Sequence, residues 1–449
     1  MKYEEYKDVN AGWINKIPSH WYTIPIKYTV KNPVTSFIDG DWIESKVIES
    51  DGIRYLTTGN VGVLEYKEQG SGFISEETFS KLNCTEVFPG DLLISRLNEP
   101  IARTCIVPDL GYRIVVAVDN VIYRPETSFY DKRFIMYQMN CSPYAENAFF
   151  IARGSTMPRI SRTMLGAIKL CVPPLSEQQA IATYLDEKCG EINRAIDVQK
   201  KKIDLLNELK QTIITDAVTK GLDPNATMKD SGVEWIGEIP EHWEVMKLNF
   251  ACKKVTDFVA SGSFADLRKN VTYLDEPDYA MLVRTADLSG KDKATAKVYV
   301  SKHSYKFLSN SNLFGGEVIL PNIGASIGDV YIVPEHIYEK ATLGPNSIML
   351  ISKTDNHFLY YLFRSKRWRE ALIILGQAAA QGKFNKTEVR GLKVIIPPIT
   401  EQQAIVAHIE KKVSKIDFQI SKANQHIELL EELKQSIITE AVTGKIKVC

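Results

Sequence analysis

Two short stretches decide how this chain is organised: Pro173–Ile181 reads PPLSEQQAI, and Pro397–Ile405 reads PPITEQQAI. The second copy follows the first by 224 residues in a chain of 449, which predicts a tandem repeat of one structural unit. A proline pair followed by Glu and Gln is typical of a helix start, and we predict Ser176 and Thr400 as the N-cap residues.

C-terminal to each copy, mostly apolar residues recur at a spacing of three and four, which predicts a coiled-coil seam. The helix predicted over residues 177–218 is about 60 Å long, and a stripe on so long a helix cannot be buried on one small domain, so the other copy is its expected partner. The first seam is Cys189, Ile192, Ile196, Gln199, Ile203, Leu206, Lys210, Ile213 and Ala217. The second is Val413, Ile416, Ile420, Ala423, Ile427, Leu430, Lys434, Ile437 and Ala441.

Two further features of the helices repeat. We expect three apolar residues to widen each seam: Leu205, Leu209 and Ile214 in the first, and Leu429, Leu433 and Ile438 in the second. Lys210 and Lys434 occupy the same seam position, which fits a role in setting the register.

The beginning of the unit is also repeated, in what we call the start segments. Trp13–Trp21 reads WINKIPSHW, and Trp235–Trp243 reads WIGEIPEHW. We interpret them as aromatic turns anchored on the domain behind them, with His20 and His242 as packed or surface residues.

Between start segment and helix, each half contains short apolar runs bounded by Gly, Pro and Asp, which predict many short strands. Framework positions repeat at shifts of 224 to 227, as in Pro89–Ser95 against Gly315–Pro321 and Asn120 against Asn346, while the other positions differ. The predicted fold class is α+β, with two similar strand-rich domains separated by two long antiparallel coiled-coil helices in a pseudo-two-fold tandem repeat. The predicted bounds are 1–175 and 223–399 for the domains, and 176–222 and 400–449 for the helices.

Composition limits the possible functions. Lys plus Arg and Asp plus Glu both number 55, so DNA binding would need local basic patches or partners that bring positive charge. The polar, acidic N-terminus and the short apolar runs predict neither a signal peptide nor a membrane span. Seven scattered cysteines without a Cys-x-x-Cys pair favour reduced thiols and a cytoplasmic location.

The sequence offers candidates for binding and none for catalysis. It has no phosphate-binding loop, no Gly-x-Gly-x-x-Gly and no metal-ligand spacing, so we expect no catalytic residues and no metal. Basic residues could reach phosphates or base edges of DNA, although each group could equally be a solvated face. The predicted DNA contacts are Arg96, then Arg153, Arg159 and Arg162, then Lys383 and Lys386, and finally Arg364, Lys366, Arg367 and Arg369 around Trp368.

With these motifs duplicated in order, the chain resembles the specificity (S) subunit of Type I restriction–modification systems over essentially its whole length. Three features carry the resemblance: the start segments, the Pro-Pro helix starts, and the helix ends LKQTIITDAVT at Leu209–Thr219 and LKQSIITEAVT at Leu433–Thr443. The first half departs from the family after Arg96, where Leu97–Pro100 replaces a Gly-rich turn.

The resemblance implies that two target recognition domains each read one half of a split double-stranded DNA sequence, with the helices setting the spacing. It implies a subunit that is not itself an enzyme and binds no cofactor. Two modification subunits would dock on it, bind S-adenosylmethionine and methylate adenine. Restriction subunits that use ATP and Mg would join through them.

Two other hypotheses are open. The chain could be a coiled-coil protein-interaction scaffold without direct DNA contact, which the zero net charge favours. A stand-alone nuclease or methyltransferase would need a metal or cofactor site that the sequence does not offer.

Overall fold

The computed structural model describes residues 2–70, 72–154, 156–290, 296–377 and 382–448. The chain divides into two compact units, which we call unit 1 (residues 1–200 and 424–449) and unit 2 (residues 201–423). Each unit contains one globular domain, the beginning of one long helix and the end of the other.

Unit 1 has short strands and mostly short helices, followed by one long helix. The strands are β1 (Tyr6–Asp8), β2 (Lys16–Pro18), β3 (Tyr22–Pro25), β4 (Phe37–Asp39), β5 (Ile53–Leu56), β6 (Phe73–Ile74), β7 (Leu92–Ser95), β8 (Thr104–Ile106), β9 (Ile114–Val116), β10 (Asn120–Tyr123) and β11 (Lys169–Val172). The helices are α1 (Pro33–Ser36), α2 (Glu76–Leu82), α3 (Lys132–Met139), α4 (Ser142–Ile151), α5 (Arg162–Ala167) and the long α6 (Leu175–Lys220), which continues into unit 2.

Unit 2 repeats this plan. Its strands are β12 (Met228–Asp230), β13 (Glu238–Pro240), β14 (Glu244–Lys247), β15 (Cys252–Asp257), β16 (Tyr273–Leu274), β17 (Ala280–Val283), β18 (Val298–Val300), β19 (Asn312–Leu313), β20 (Val318–Pro321), β21 (Tyr331–Ile332), β22 (Ala341–Leu343), β23 (Ser347–Ser352) and β24 (Lys393–Ile396). Its helices are α7 (Leu248–Ala251), α8 (Phe264–Asn270), α9 (Thr285–Ser289), α10 (Lys302–Phe307), α11 (Asn356–Arg364), α12 (Lys366–Gln377), α13 (Lys386–Gly391) and the long α14 (Ile399–Val442), which ends in unit 1.

The central sheets of the two units have the same topology. The strand order is β4-β10-β7-β8 in unit 1 and β15-β23-β20-β21 in unit 2, and all neighbours are antiparallel. Each unit also has a parallel pair, β5 with β9 and β17 with β22. The α+β tandem repeat predicted from the sequence is therefore present.

Strand register corrects the predicted alignment of the halves by one residue. Asn120 lies opposite Ser95, whereas Ser347 lies opposite Pro321, so Asn120 is equivalent to Ser347 and not to Asn346. The position equivalent to Asn346 is Asp119.

A carboxylate in the first turn of each long helix explains why the start segment and the helix motif recur together. In unit 1, Glu177 on α6 pairs with His20 at 2.8 Å and accepts hydrogen bonds from the Trp21 indole at 3.1 Å and from the Tyr3 hydroxyl. In unit 2, Glu401 on α14 pairs with His242 at 2.8 Å and accepts from the Trp243 indole at 3.1 Å.

The neighbouring glutamine also ties each helix to its own domain. Gln178 accepts from the Asp131 backbone N–H at 2.8 Å and donates to the Pro173 carbonyl, and Gln402 likewise donates to Pro397. The N-cap prediction was wrong. The backbone N–H of Gln178 donates to the Pro174 carbonyl, and that of Gln402 donates to the Pro398 carbonyl. Ser176 and Thr400 therefore lie inside the first turn of their helices.

A second pair of contacts anchors the other end of each start segment. Trp13 packs edge-on against Tyr144 at 5.7 Å, and Trp235 packs the same way against Trp368 at 5.2 Å. The hydrogen-bond donor differs between the units. In unit 1 the Trp13 indole donates to the Lys169 carbonyl at 2.8 Å, whereas in unit 2 the equivalent Lys393 carbonyl accepts from Trp368 at 3.0 Å.

Within each unit, segments of α6 and α14 pack antiparallel. In unit 1, residues 181–189 share an apolar cluster with residues 438–442, and Lys434 donates to Asn193 at 2.8 Å. In unit 2, residues 214–218 share a cluster with residues 405–413, and Lys210 pairs with Asp417 at 2.6 Å. The two lysine contacts are one contact repeated at the 224-residue shift, once with a charged and once with a neutral partner.

The seam residues are all buried or half-buried, whereas most of their neighbours on the helix are exposed. The expectation that leucines widen the seam was wrong. Leu205 and Leu429 are 65% and 62% exposed, and Leu209 and Leu433 are 49% and 48% exposed. Only Ile214 and Ile438 are buried, so each helix presents an uncovered pair of leucines at the equivalent place.

Candidate functional site

A cavity of about 590 Å³ in unit 1 brings together several of the predicted basic residues. Arg96 approaches it from the end of β7, Arg153 and Arg159 from the loop after α4, and Ser161 caps α5 at its rim. The loop is held as a narrow hairpin, because the backbones of Arg153 and Arg159 exchange hydrogen bonds of 2.9 and 2.8 Å.

Arg96 forms the floor of this cavity. The residue is only 5% exposed, and its guanidinium donates to the Val118 carbonyl at 2.6 Å and pairs with Asp39 at 3.1 Å. Burial lowers the pKa of this guanidinium, and the Asp39 carboxylate opposes that effect. The position of Arg96 therefore suits holding the cavity in shape better than contacting a DNA phosphate.

The outer arginines are held to different degrees. Arg159 pairs with Asp119 at 2.6 Å, and Arg162 pairs with Asp39 at 3.3 Å. Arg153 is exposed, and its guanidinium has no hydrogen bond or ion pair within the described ranges. It is the cation at this cavity with the most freedom to meet a ligand.

Unit 2 has a cavity of about 630 Å³ at the equivalent place. Lys383 lies where Arg159 lies in unit 1, and Asn385, the N-cap of α13, stands for Ser161. Lys386 pairs with Asp257 at 3.0 Å, which repeats the pair of Arg162 with Asp39. The two cavities thus share one framework, and both keep a cation at positions 159/383 and 162/386.

The linings of the two cavities nevertheless differ in chemistry. Asn322 replaces Arg96 on the floor and donates to the Phe384 carbonyl at 2.8 Å. Asn346 replaces Asp119, so Lys383 lacks the carboxylate partner that Arg159 has. The unit 1 cavity is lined mainly by guanidinium groups, whereas the unit 2 cavity combines three asparagine amides with apolar side chains and the single guanidinium of Arg268.

The basic group around Trp368 lies on another surface. Arg364 donates to the Tyr360 hydroxyl at 2.7 Å, and its own carbonyl accepts from Gln211 of α6 at 2.9 Å. Trp368 is fully buried in the core. Arg364, Lys366, Arg367 and Arg369 do not line the Lys383 cavity as far as the described residues define it.

Sequence reasoning missed the acidic and amide members of the two sites. Asp39 and Asp119 lie far from the arginines in the chain, and isolated aspartates carry no pattern of their own. A comparison of the two halves could have identified Asn346 as a site residue if the alignment had paired it with Asp119 and not with Asn120. In the described part of the chain no three His, Cys, Asp or Glu side chains lie close enough to hold a metal, and no helix has the length and apolar content to cross a bilayer.

Comparison with known proteins places this architecture in a family. The profile of the "Type I restriction modification DNA specificity domain" matches residues 37–208 and 240–429. The chain belongs to this family. It is a DNA specificity subunit of a type I restriction–modification system, and specificity subunits are the non-catalytic members of such systems.

Relatives of this specificity subunit come from archaea and bacteria. The type I restriction enzyme MjaVIII specificity subunit of Methanocaldococcus jannaschii is 27% identical over 309 residues, 66% of each chain. The EcoKI specificity subunit of Escherichia coli strain K12 is 21% identical over 447 residues, 96% of this chain and 90% of its own. A solved chain from work on complex assembly and conformational transition of the type I R-M system shares the fold, with a TM-score of 0.66 at 14% identity, covering 96% of this chain and 100% of its own.

Proposed function

We propose that this specificity subunit reads double-stranded DNA in two halves, one at the unit 1 cavity and the other at the unit 2 cavity. The observation that supports this is the pair of cavities, which share a framework and differ in lining. Contacts to phosphates position a protein on DNA, whereas contacts to base edges select the sequence. A duplicated framework with different polar linings is what reading two different half-sites requires.

Local charge supports DNA contact despite the neutral chain. The unit 1 site has two more cations than anions, with Arg96, Arg153, Arg159 and Arg162 against Asp39 and Asp119. Such a small surplus gives only modest phosphate affinity. The modification subunits would supply the rest.

The long helices would set the distance between the half-sites and dock two modification subunits. The exposed pair Leu205 and Leu209 recurs as Leu429 and Leu433 with nearly the same exposure. Exposed apolar patches that repeat in this way indicate interaction surfaces, and two equivalent patches suit two copies of one partner.

The chemistry would reside in the partners. S-adenosylmethionine would bind to the modification subunits, and ATP and Mg would be used by the restriction subunits, in the cytoplasm. This chain would contribute neither a cofactor nor a metal.

Exchange of one globular domain tests the proposal. Residues 24–172 would be replaced by those of another specificity subunit, and the complex with the modification subunit and S-adenosylmethionine would methylate a random duplex library. Sequencing of methylated adenines should show a change in one half of the target and none in the other. A change in both halves would refute reading by separate units.

The second candidate function is a protein-interaction scaffold without DNA contact, which the equal counts of acidic and basic residues favour. A gel shift at low salt with the modification subunit present separates the two. Complexes of the modification subunit with and without this chain serve as the matched pair, and equal retardation of DNA by both would support the scaffold.

A further inference from the structure

Each unit carries a basic residue immediately before the second strand of its parallel pair. In unit 1 the backbone N–H of Arg54 donates to the Arg113 carbonyl at 2.8 Å, and in unit 2 that of Met281 donates to the Lys340 carbonyl at 2.9 Å. The pairs β5 with β9 and β17 with β22 keep the same register beside this contact. Arg113 and Lys340 therefore occupy equivalent positions.

The short helices beside these residues correspond as well. Ser75 caps α2 and Ser301 caps α10, and each serine accepts from the backbone N–H three residues further on. Each serine directly follows a strand, β6 or β18, that pairs with the first strand of the parallel pair. Glu76, the first residue of α2, is thus equivalent to Lys302, the first residue of α10.

Unit 1 neutralises its basic residue with two carboxylates. Arg113 pairs with Glu76 at 2.6 Å and with Glu86 at 2.9 Å, and its guanidinium lies 4.6 Å from the centroid of the Phe79 ring. Unit 2 has Asn312 at the place of Glu86, because the residues that follow these two pair with the first residues of β22 and β9. Both carboxylates are therefore replaced in unit 2, one by a lysine and one by an amide.

The equivalent surface of unit 2 holds two lysines around one aromatic ring, which we call the lysine pair. The ammonium groups of Lys340 and Lys302 lie 4.8 and 5.7 Å from the centroid of the Tyr279 ring. Tyr279 packs edge-on against Tyr305 at 5.5 Å. Among the described residues, Lys340 forms an ion pair with its neighbour Glu339 alone, at 3.3 Å, and Lys302 forms none. The attraction of each ammonium to the ring helps to hold the lysine pair in place.

The lysine pair adjoins the unit 2 cavity through α8. Arg268 of α8 lines the cavity, and at the end of the same helix the Asn270 carbonyl accepts from the Ser304 hydroxyl of α10 at 2.9 Å. A DNA strand that leaves the cavity past Arg268 would therefore meet α10 next. The loop between β16 and β17 carries three carboxylates that form no ion pair with the lysine pair in the described part of the chain: Asp275, Glu276 and Asp278.

We propose that the lysine pair binds phosphates of the DNA backbone beside the half-site read by unit 2, and that unit 1 lacks this contact. This inference rests on the proposed function. Phosphate groups are the same in every DNA sequence, so such a contact adds affinity and positions the duplex without selecting bases. At this surface the specificity subunit holds DNA through unit 2 and not through unit 1.

The salt dependence of DNA binding is the test, in the assembled complex with the modification subunit. Lys302→Gln with Lys340→Gln should weaken binding to a random-sequence duplex and leave the methylated sequence unchanged. The slope of log affinity against log salt should become smaller by about two, one for each lost phosphate contact. Lys229→Gln with Lys247→Gln, two exposed lysines on β12 and β14, is the matched control and should leave the slope unchanged.

The reciprocal exchange builds the contact into unit 1. Glu76→Lys with Glu86→Asn removes both carboxylates from Arg113 and places a second cation beside it, which should make the salt slope larger by about two. An unchanged slope in this variant would overturn the assigned difference between the units.

Three other results would overturn the inference. The first is an unchanged slope in the variant of the lysine pair. The second is an equal fall of the slope in the control, which would assign the effect to net charge. The third is a variant of the lysine pair that changes the methylated sequence or, by native mass spectrometry, loses a modification subunit. A wild-type complex that binds DNA no better than the modification subunit alone would instead refute the proposed function itself.

Discussion

Replacing Glu177 by alanine should weaken unit 1 more than replacing Glu401 by alanine weakens unit 2. Glu177 accepts from the Trp21 indole and the Tyr3 hydroxyl and pairs with His20, and its side chain is 10% exposed. Among the described residues, Glu401 accepts from the Trp243 indole and pairs with His242, and its side chain is 26% exposed.

The magnitude follows from the groups left behind. A buried indole N–H without an acceptor costs about 1–3 kcal/mol, and a lost hydroxyl hydrogen bond about 1 kcal/mol. The half-exposed His20 pair adds at most about 1 kcal/mol. We therefore expect a loss of about 3 kcal/mol for Glu177→Ala and about 1–2 kcal/mol for Glu401→Ala, where water can reach the vacated site.

Amide hydrogen exchange measures the two units separately, which a global melt of a two-unit chain does not. Peptides covering residues 2–25 and 226–247 report the local free energy of opening beside each carboxylate. Glu177→Gln is the matched control, since its amide oxygen still accepts from the indole, and it should recover at least half of the loss. Equal losses in both units, or unchanged protection in both, would refute the reasoning.

Three further predictions concern the helices. The double substitution Leu205→Asp and Leu209→Asp should weaken docking of one modification subunit by at least about 100-fold, because burial of each leucine contributes about 1.5–3 kcal/mol. Native mass spectrometry should then count one bound modification subunit instead of two. A count of two would contradict the docking surface. Asn193→Asp should give Lys434 the charged partner that Lys210 has, stabilising the helix pair by about 0.2–1 kcal/mol at 50 mM salt and less at 1 M; a gain independent of salt would exclude an ion pair. A seven-residue insertion after Leu205 should change the half-site spacing or abolish assembly without changing the half-site sequences; unchanged spacing with full activity would show that the helices do not set it.

Much of the architecture could be predicted because it depends on patterns that repeat along the chain. The seam of α6 and α14 follows from a spacing of three and four, which a helix converts directly into one face. The exposed leucines could not be predicted the same way. Leu205 and Leu209 lie close enough to that face to look buried, and only the packing of the partner helix decides how wide the covered stripe is.

The site was less accessible from sequence, for a physical reason. The basic residues could be listed from the sequence. Whether each of them is free to bind a ligand depends on aspartates that lie elsewhere in the chain and pair with some of them. Asp119 neutralises Arg159, while Arg153 of the same loop has no such partner within the described residues. Long-range pairing of this kind depends on strand order and register, which no local pattern encodes.

The exchanged indole donor at the end of the start segments has a consequence for the making of hybrid subunits. Lys169 and Lys393 offer the same carbonyl, but the indole comes from the start segment in unit 1 and from α12 in unit 2. Both start segments nevertheless carry a tryptophan at this place. A chimaera that joins the start segment of unit 2 to α4 of unit 1 would combine Trp235 with Tyr144, which is the same pair of side chains as in unit 1. The reverse chimaera would combine Trp13 with Trp368, which is the same pair as in unit 2. Recombination between the start segment and these helices should therefore preserve the hydrogen bond to the lysine carbonyl, which makes the two start segments interchangeable at this contact.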